Sequence, residues 1–140
     1  MENFKLSIRA TEDLFSVLNL NSIILPGDDL NVEAHTYHWL ASNKYTGEHI
    51  GFCSVSDFGH GILFLSRAGL LRPYRGRNIQ RRFISIRESF ARRNGFTKII
   101  TYTIKDNYQS MNSLIKSGYK LYTPEYEYVG DKFFYFIKEL

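Results

Sequence analysis

Cysteine is scarce in this sequence and long apolar runs are missing, and each shortage excludes a class of protein. Cys53 is the only cysteine, so no disulfide can form within the chain, and a reducing compartment fits it. No apolar run reaches the roughly 20 residues that a membrane helix needs, and the first ten residues lack an apolar signal core. We therefore expect a cytoplasmic protein that does not bind a membrane.

The sequence also lacks the spacing of metal ligands and the elbow motif of a serine nucleophile. His35 and His38 stand three apart on a predicted strand, so their side chains would point to opposite faces. His49, His60 and Cys53 show no ligand spacing. We expect no metal, and we interpret Cys53 as a small buried hydrophobic residue.

The composition excludes a disordered chain. Of the 140 residues, 44% are hydrophobic and 16% are aromatic, whereas disordered segments have few aromatic residues. A chain of this length can bury roughly two-thirds of its unfolded surface. Because no repeat, linker or low-complexity tract interrupts it, we predict a single domain over residues 1–140.

Hydrophobic periodicity predicts an α/β (or α+β) fold with the order β-α-βββ-α-β-α-ββ. Helices are expected after Thr11, from about 79 to 94, and after Asn107, with Thr11 and Asn107 as caps. The order implies a mixed sheet with helices on its faces. Strands are expected at 4–9, 35–42, 49–58, 62–71 and 98–104 and in the closing runs YKLYTPEY and DKFFYFIKEL.

The inner faces of the three predicted helices follow from the same periodicity. Apolar residues recur on each helix at spacings that place them on one side. Gly95 and Gly118 would end the second and third helices. The inner residues are Leu14, Val17 and Leu18, then Ile79, Phe83, Ile86 and Phe90, then Met111, Leu114 and Ile115.

Acidic residues are nearly missing from the region that holds most of the arginines. Nine of the ten arginines lie between Arg67 and Arg93, and Glu88 is the only acid in that window. The densest part is RPYRGRNIQRR, residues 72–82, which joins a predicted strand to the second helix. Arginine presents a planar fork of donors that suits phosphate. This distribution therefore indicates a phosphate-bearing ligand or partner.

The strand-to-helix turn has the chemistry of an anion site. A helix start leaves four backbone N–H groups without partners and carries the positive end of the dipole. Gly76 lets the chain turn sharply and lets a phosphate approach the backbone, while Arg75 and Arg77 add forked donors. The turn predicts a site for a phosphate or pyrophosphate.

Two stretches of the sequence resemble the GNAT N-acetyltransferase superfamily. The run AGLLRPYRGRNIQ (68–80) is similar to the family's acyl-CoA loop, with Arg75 in the Arg/Gln position and Leu70 where a valine usually stands. The element order matches nearly the whole chain and implies a mostly antiparallel sheet of about seven strands. The run NYQSMNSLIKSGYKLY (107–122) resembles a later motif, whose positions are filled by Asn107, Ser110, Lys116, Gly118 and Tyr119.

Three positions depart from the family pattern. Asn78 stands at the first loop glycine, and asparagine tolerates left-handed backbone angles better than most residues. Gln80 stands where the second glycine or alanine is usual, so a larger side chain lies beside the expected pyrophosphate. Leu114 occupies the position at which many members carry a tyrosine that protonates the departing CoA thiolate.

The resemblance implies an acetyl-CoA-dependent N-acetyltransferase that moves an acetyl group to a primary amine in a ternary complex. The backbone from Leu70 to Arg72 would hold the pantetheine arm and polarise the thioester carbonyl. Tyr108 is the candidate general acid, acting through a water, and Glu33 the candidate base, with His35 and His38 nearby. The implied cofactor-binding residues are Leu70, Leu71, Arg72, Arg75, Gly76, Arg77, Asn78, Ile79, Gln80, Asn107 and Ser110.

The remaining arginines leave a rival function open. They are expected to lie largely off the apolar face of the second helix, where they would contact nucleic acid, an acidic partner or the CoA 3′-phosphate. They would instead form a solvated face if Glu88 pairs with Arg92 at i, i+4. A catalytically weak or silent module of the same fold is the alternative to an enzyme. These arginines are Arg81, Arg82, Arg87, Arg92 and Arg93.

The acceptor amine and the oligomeric state also stay open. Asp28 and Asp29 would attract a cationic amine or serve solubility alone. The run FFYFI (133–137) is apolar on both faces, which is typical of a buried central strand. It would also serve to pair two chains, so both a monomer and a homodimer fit the sequence.

Overall fold

The computed structural model describes residues 4–140 as seven strands and three α-helices. Their order confirms the predicted β-α-βββ-α-β-α-ββ arrangement. A short 3₁₀ turn, Arg72–Tyr74, precedes the second helix. No helix within residues 4–140 is long and apolar enough to cross a membrane. The elements are β1 Leu6–Thr11, α1 Leu14–Ile24, β2 Thr36–Asn43, β3 His49–Asp57, β4 Ile62–Leu70, α2 Ile79–Arg93, β5 Lys98–Ile104, α3 Tyr108–Lys116, β6 Lys120–Tyr122 and β7 Phe133–Glu139.

The strands form one sheet in the order β1-β2-β3-β4-β5-β7-β6. The β1–β2, β2–β3, β5–β7 and β6–β7 pairs are antiparallel, which confirms the mixed, mostly antiparallel sheet. The exception is the parallel ladder that joins Ile62–Phe64 of β4 to Lys98–Ile100 of β5. Beyond that ladder β4 continues to Leu70, where the arginine-rich segment begins.

The described residues divide into two compact units, each with its own apolar core. The first unit holds residues up to 56 and 66–79, and the second holds 57–65 and 80–140. Each large apolar side chain that is buried contributes about 1.5–3 kcal/mol. A single domain over the whole chain stays a prediction. The first core contains Val17, Leu20, Leu30, Leu40 and Phe52, and the second includes the fully buried Leu63, Phe83, Ile99 and Phe136.

The first helix begins two residues later than Thr11 would place it. Asp13 is the cap, since its carboxylate accepts from the backbone N–H of Ser16 at 3.1 Å. Thr11 instead accepts from the N–H of Asp13 at 3.0 Å, so the prediction of a Thr11 cap was wrong. Leu18 is 40% exposed, whereas Val17 is fully buried. The inner face of α1 therefore excludes Leu18.

The inner face of α2 contains two charged residues that were expected outside it. Arg87 and Glu88 are 4% and 8% exposed. Glu88 pairs with Lys138 of β7, with Nζ–Oε2 at 3.1 Å, so the predicted solvent-exposed Glu88–Arg92 pair was wrong. A long aliphatic stem lets an arginine pack against apolar groups, and this is why the periodicity alone misplaced Arg87.

The predictions for α3 and the closing strand were largely right. The side chain of Asn107 accepts from the N–H of Ser110 at 3.2 Å, which confirms the cap. Met111 and Leu114 are buried, but Ile115 is 54% exposed, so its assignment to the inner face was wrong. β7 lies between β5 and β6, so the central strand is the alternative observed within the chain, and the pairing of two chains stays open.

Candidate functional site

The loop that opens α2 has a left-handed backbone at two positions. Gly76 has φ +79°, and a Cβ added there would meet no atom within 4 Å. Glycine is therefore favoured at this position by its left-handed backbone angle, and not by a lack of space for a side chain. Asn78 has φ +61°, so the asparagine at the family's glycine position adopts the angle that glycine would supply.

Arg75 secures the chain between β4 and this loop. Its Nε donates to the carbonyl of Leu70 at 3.1 Å, which leaves the terminal N–H groups of an exposed guanidinium for other partners. The N–H of Leu71 donates to the carbonyl of Ile50 on β3 at 2.8 Å. That donor is engaged within the first unit, so the N–H of Leu71 is not available to polarise a carbonyl, and the predicted role of Leu70 and Arg72 stays a prediction.

Arg77 lies against two aromatic rings of the first unit. Its guanidinium carbon is 5.6 Å from the ring centroids of both Phe4 and Tyr74, whose own centroids are 5.4 Å apart. Arg77 also donates through Nη2 to the carbonyl of Pro73 at 3.3 Å. The Tyr74 hydroxyl donates to Glu48 at 2.9 Å, and this hydrogen bond raises the pKa of Tyr74. No local pattern predicts this arrangement, because Phe4 and Glu48 are distant from the loop along the chain.

The other predicted ligands of the loop differ in exposure. Arg72 is exposed on the 3₁₀ turn, Ile79 is buried at 3% exposure, and Gln80 is half-buried in the first turn of α2. Ile79 can therefore serve a ligand through its backbone N–H alone. No acidic residue lies in the first turn of α2, so nothing there opposes an anion.

The predicted residues of the second motif lie at the opening of α3, in the second unit. Asn107 uses its side-chain oxygen to cap Ser110, which leaves its amide NH₂ as a donor. Tyr108, the candidate acid, is 68% exposed. Leu114 is 4% exposed, so the position of the usual acid is filled by a core residue.

The predicted acceptor-side residues lie in the loop between α1 and β2. Glu33 is exposed, and its carbonyl accepts from the hydroxyl of Thr36 at 2.6 Å. Asp28 is paired with Arg67, Nη2–Oδ1 2.6 Å, so its charge is offset within the chain. Asp29 is exposed. Of the two aspartates that were expected to attract an amine, Asp28 already has a cationic partner.

His38 is buried between two hydroxyl groups. Its Nδ1 is 2.6 Å from the Ser54 hydroxyl and its Nε2 is 3.0 Å from the Thr36 hydroxyl. Because the Thr36 hydroxyl donates to the Glu33 carbonyl, Nε2 donates to Thr36, and in the neutral ring Nδ1 accepts from Ser54. Burial lowers the pKa of His38, which favours this neutral form.

A buried charged cluster links α2, α3 and β7 in the second unit. Lys138 donates to Glu88 at 3.1 Å and to the carbonyl of Ser117 at 2.7 Å. Its Nζ also lies 5.6 Å from the ring centroid of Tyr119. Burial raises the pKa of Tyr119, and the nearby Glu88 charge adds to that rise. The cluster thus holds a neutral tyrosine beside a compensated ion pair.

A cavity of about 370 Å³ lies between the end of β5, the strands β6 and β7, and the loop that joins these two strands. Most of the residues that line it are apolar or aromatic, and three are charged: Lys105, Glu127 and Asp131. Tyr128 anchors the loop, with its ring centroid 4.9 Å from that of Tyr135. Within residues 4–140, no three His, Cys, Asp or Glu side chains cluster so as to hold a metal ion.

Known proteins resemble the chain in sequence pattern and in fold. The Acetyltransferase (GNAT) family matches residues 9–119. The acetyltransferase of Bacillus subtilis in complex with CoA has a TM-score of 0.78 at 12% identity, with coverage of 97% of this chain and 99% of that one. A GNAT family acetyltransferase from Elizabethkingia anophelis with acetyl-CoA bound has a TM-score of 0.75 at 14% identity, with both chains fully covered.

The IAA acetyltransferase from Bacillus cereus ATCC 14579 has a TM-score of 0.75 at 13% identity, with coverage of 97% of this chain and 100% of that one. These structures share the fold at identities too low to transfer a substrate. No curated protein matches the sequence.

Proposed function

The chain belongs to the GNAT family of acetyltransferases, and from that premise we propose that it is an acetyl-CoA-dependent N-acetyltransferase. The acetyl group passes directly from the thioester to a primary amine while both substrates are bound. The observation that carries this proposal is the opening of α2, where left-handed Gly76 and Asn78 alternate with exposed Arg75 and Arg77 just before the helix starts. CoA and acetyl-CoA complexes of the B. subtilis and E. anophelis proteins support the same co-substrate.

The opening of α2 binds the diphosphate of acetyl-CoA through its backbone. The first N–H groups of a helix lack intrahelical acceptors and point along the axis toward an anion. Gly76 has no Cβ, and the space that a Cβ would enter is open to at least 4 Å, so a phosphate oxygen can approach the backbone. Arg75, fixed through its Nε to Leu70, adds terminal N–H donors to the same loop.

The reaction needs an acyl carbon, a neutral amine and a leaving thiol. The amine nitrogen bonds to the carbonyl carbon, the carbon–sulfur bond breaks, and the sulfur takes up the equivalent of the proton that the amine loses. Positioning of the two reactants supplies a large part of the rate, since well-oriented reactions gain several kcal/mol in entropy. The thiol resembles a free cysteine with a pKa of about 8.5, so a thiolate can leave without a strong acid.

We propose Tyr108 as the general acid and Glu33 as the general base. Leu114 is buried and cannot protonate the thiolate, so exposed Tyr108 acts in its place through a water. Glu33, exposed in the loop before β2, receives the amine proton. Loss of a general acid typically lowers a rate by about a hundredfold or more, so the enzyme is expected to be slow without Tyr108.

The acceptor is a primary amine, and the cavity beside β6 and β7 suggests which amines to screen first. Its lining is largely apolar and includes two carboxylates, Glu127 and Asp131, against one cation, Lys105. Such a lining favours an amine on an apolar body over a phosphorylated acceptor. We therefore place aromatic and alkyl amines first in a screen that follows released thiol, and peptide N-termini and lysine side chains second.

Calorimetry with acetyl-CoA tests the proposal most cheaply. We expect saturable binding with one site per chain, and thiol release above background once an acceptor is added. Absence of binding at millimolar acetyl-CoA would refute the proposed function. Binding without thiol release across the amine screen would identify a silent module of the same fold.

The exposed face of α2 favours one second candidate, binding of nucleic acid. The only acid of the helix, Glu88, is buried, whereas Arg81, Arg82, Arg92 and Arg93 are exposed. Arg92 and Arg93 follow Arg81 and Arg82 by eleven positions each. This offset is about three helical turns, so the second pair lies on nearly the same side of the helix, about 16 Å further along its axis. A salt titration with duplex DNA or tRNA tests this candidate, and no association at low salt removes it.

A further inference from the structure

We propose that Tyr74 and Phe4 are positioning residues that hold the Arg77 guanidinium ready for a phosphate group of acetyl-CoA. The inference rests on the proposed function, and it assigns a role in cofactor binding to the segment before β1. It concerns three side chains of the first unit. Neither ring is itself expected to touch the cofactor.

The three groups form a nearly equilateral triangle. The guanidinium carbon of Arg77 is 5.6 Å from each ring centroid, and the two centroids are 5.4 Å apart with an angle of 37° between their planes. Cation–π attraction operates within about 6 Å of a ring centroid. Two rings therefore hold one exposed cation, which would otherwise sample many rotamers at the tip of a long side chain.

Contact with the rings leaves the donors of Arg77 available. Aromatic faces attract the π-face of a guanidinium, whereas its five N–H groups lie in the plane of the group. This guanidinium donates from Nη2 to the Pro73 carbonyl at 3.3 Å, which leaves its other N–H groups for a ligand. The planar fork can thus contact both rings and still bind a phosphate with two N–H groups.

Tyr74 is itself held in place. It is 7% exposed, and its hydroxyl donates to Glu48 at 2.9 Å. Glu48 lies in the turn between β2 and β3, so the sheet fixes the ring and the ring fixes the guanidinium. A pre-positioned donor loses less entropy on binding than a mobile one.

A double-mutant cycle with acetyl-CoA affinity as the readout tests the inference. Arg77→Met should weaken binding about tenfold or more, as loss of a charge-assisted hydrogen bond does. Tyr74→Leu should weaken it about threefold, in line with a cation–π contact. In the Arg77→Met background Tyr74→Leu should have no further effect, because the ring acts only through the arginine.

Matched variants separate positioning from general damage. Tyr74→Phe keeps the ring but loses the hydrogen bond to Glu48 that holds it, so its affinity should lie between those of the unaltered chain and Tyr74→Leu. Arg77→Lys should lose most of the affinity, since an ammonium has no planar fork. Phe4→Leu repeats the test at the second ring should Tyr74→Leu fail to fold. Tyr45→Leu removes a 65% exposed ring from the turn before Glu48 and should leave affinity unchanged.

Additive losses would overturn the inference, because they would show that the rings act on the fold and not through Arg77. Unchanged affinity in Tyr74→Leu and Phe4→Leu would overturn it as well. If the unaltered protein binds no acetyl-CoA, the proposed function fails first, so the two failures are distinguishable. Repeating the cycle with 3′-dephospho-acetyl-CoA shows which phosphate Arg77 binds. If the coupling between the Arg77 and Tyr74 substitutions disappears, Arg77 binds the 3′-phosphate. If the coupling persists, Arg77 binds the diphosphate.

Discussion

The openings of α2 and α3 are two helix starts with the same backbone chemistry and different surroundings. At α3 the Asn107 side chain accepts from the N–H of Ser110, so the protein itself occupies one of the unpaired donors. At α2 the preceding residues Gly76 and Asn78 are left-handed, and exposed arginines flank them. The α3 opening is capped by its own sequence, whereas we propose that the α2 opening binds an anion.

This difference shows why a helix N-terminus alone does not indicate a ligand. Every helix has unpaired N–H groups, but a cap satisfies part of them at a gain of about 1 kcal/mol. At α2 glycine adopts the left-handed angle freely at position 76, but the same angle costs Asn78 some free energy, and like charges gather around both residues. Such costs are expected where a ligand offsets them.

The largest effect is expected from Arg75→Ala. The variant removes a guanidinium that a hydrogen bond to the Leu70 carbonyl holds beside the loop. Acetyl-CoA affinity should fall about 10- to 100-fold, because a hydrogen bond to a charged group contributes about 1.5–3 kcal/mol. Calorimetry measures the change. Arg93→Ala, an exposed arginine in the last turn of α2, makes the same change in net charge and should alter affinity less than threefold. Equal losses in both would mean that overall charge, and not the loop, attracts the cofactor.

A second comparison replaces the left-handed residues. Gly76→Ala should cost about 1–2 kcal/mol of unfolding free energy, because an L-residue at φ +79° is strained even where space is open. Asn78→Gly should be neutral or slightly stabilising at φ +61°. Urea unfolding followed by circular dichroism measures both. If Gly76→Ala were as stable as the unaltered chain, the loop would not need its left-handed backbone.

Asn107 allows the two roles of the α3 opening to be separated. Asn107→Asp keeps an oxygen for the Ser110 N–H and loses the NH₂ donor, whereas Asn107→Ala loses both. Stability should fall by about 1 kcal/mol in the alanine variant alone. Acetyl-CoA affinity should fall in both variants if the NH₂ group contacts the cofactor. Unchanged affinity in both would leave Asn107 as a helix cap and no more.

The smallest effect is expected from pH, and it concerns stability and not the two openings. Burial lowers the pKa of His38 below its usual 6.5, so its contribution to stability is complete above about pH 6.5. Below that pH the unfolded chain takes up a proton that the folded chain resists, and stability declines until the pH passes the folded pKa. Urea midpoints between pH 7.5 and 5 should fall more steeply for the unaltered chain than for His38→Gln. His35→Gln, at an exposed position, should keep the steep slope.

Much of the fold could be predicted from the sequence because its patterns are local. The spacing of Ile79 and Phe83 marked α2, the alternation in the first half marked the strands, and Asn107 marked the start of α3. The errors arose where a tertiary contact overrides a local pattern. Arg87 and Glu88 were predicted to be surface residues because they are charged. Glu88 is nevertheless buried, because it forms an ion pair with Lys138, fifty positions further along the chain.

The candidate site could be predicted only in its local part. Gly76 and its neighbouring arginines are consecutive, so their chemistry is readable from the sequence. Tyr74 is only three positions from Arg77, but Phe4 reaches both residues across 70 or more positions, and no local pattern reports such a contact. The same limit applies to His38, whose neutral form follows from its burial beside Ser54.

A crystal structure with acetyl-CoA tests the central claim most directly. We expect diphosphate oxygens about 2.7–3.2 Å from backbone N–H groups between Gly76 and Gln80, with the Arg75 guanidinium in contact. A cofactor bound with its diphosphate elsewhere, or a loop closed against it by the Gln80 side chain, would contradict the account.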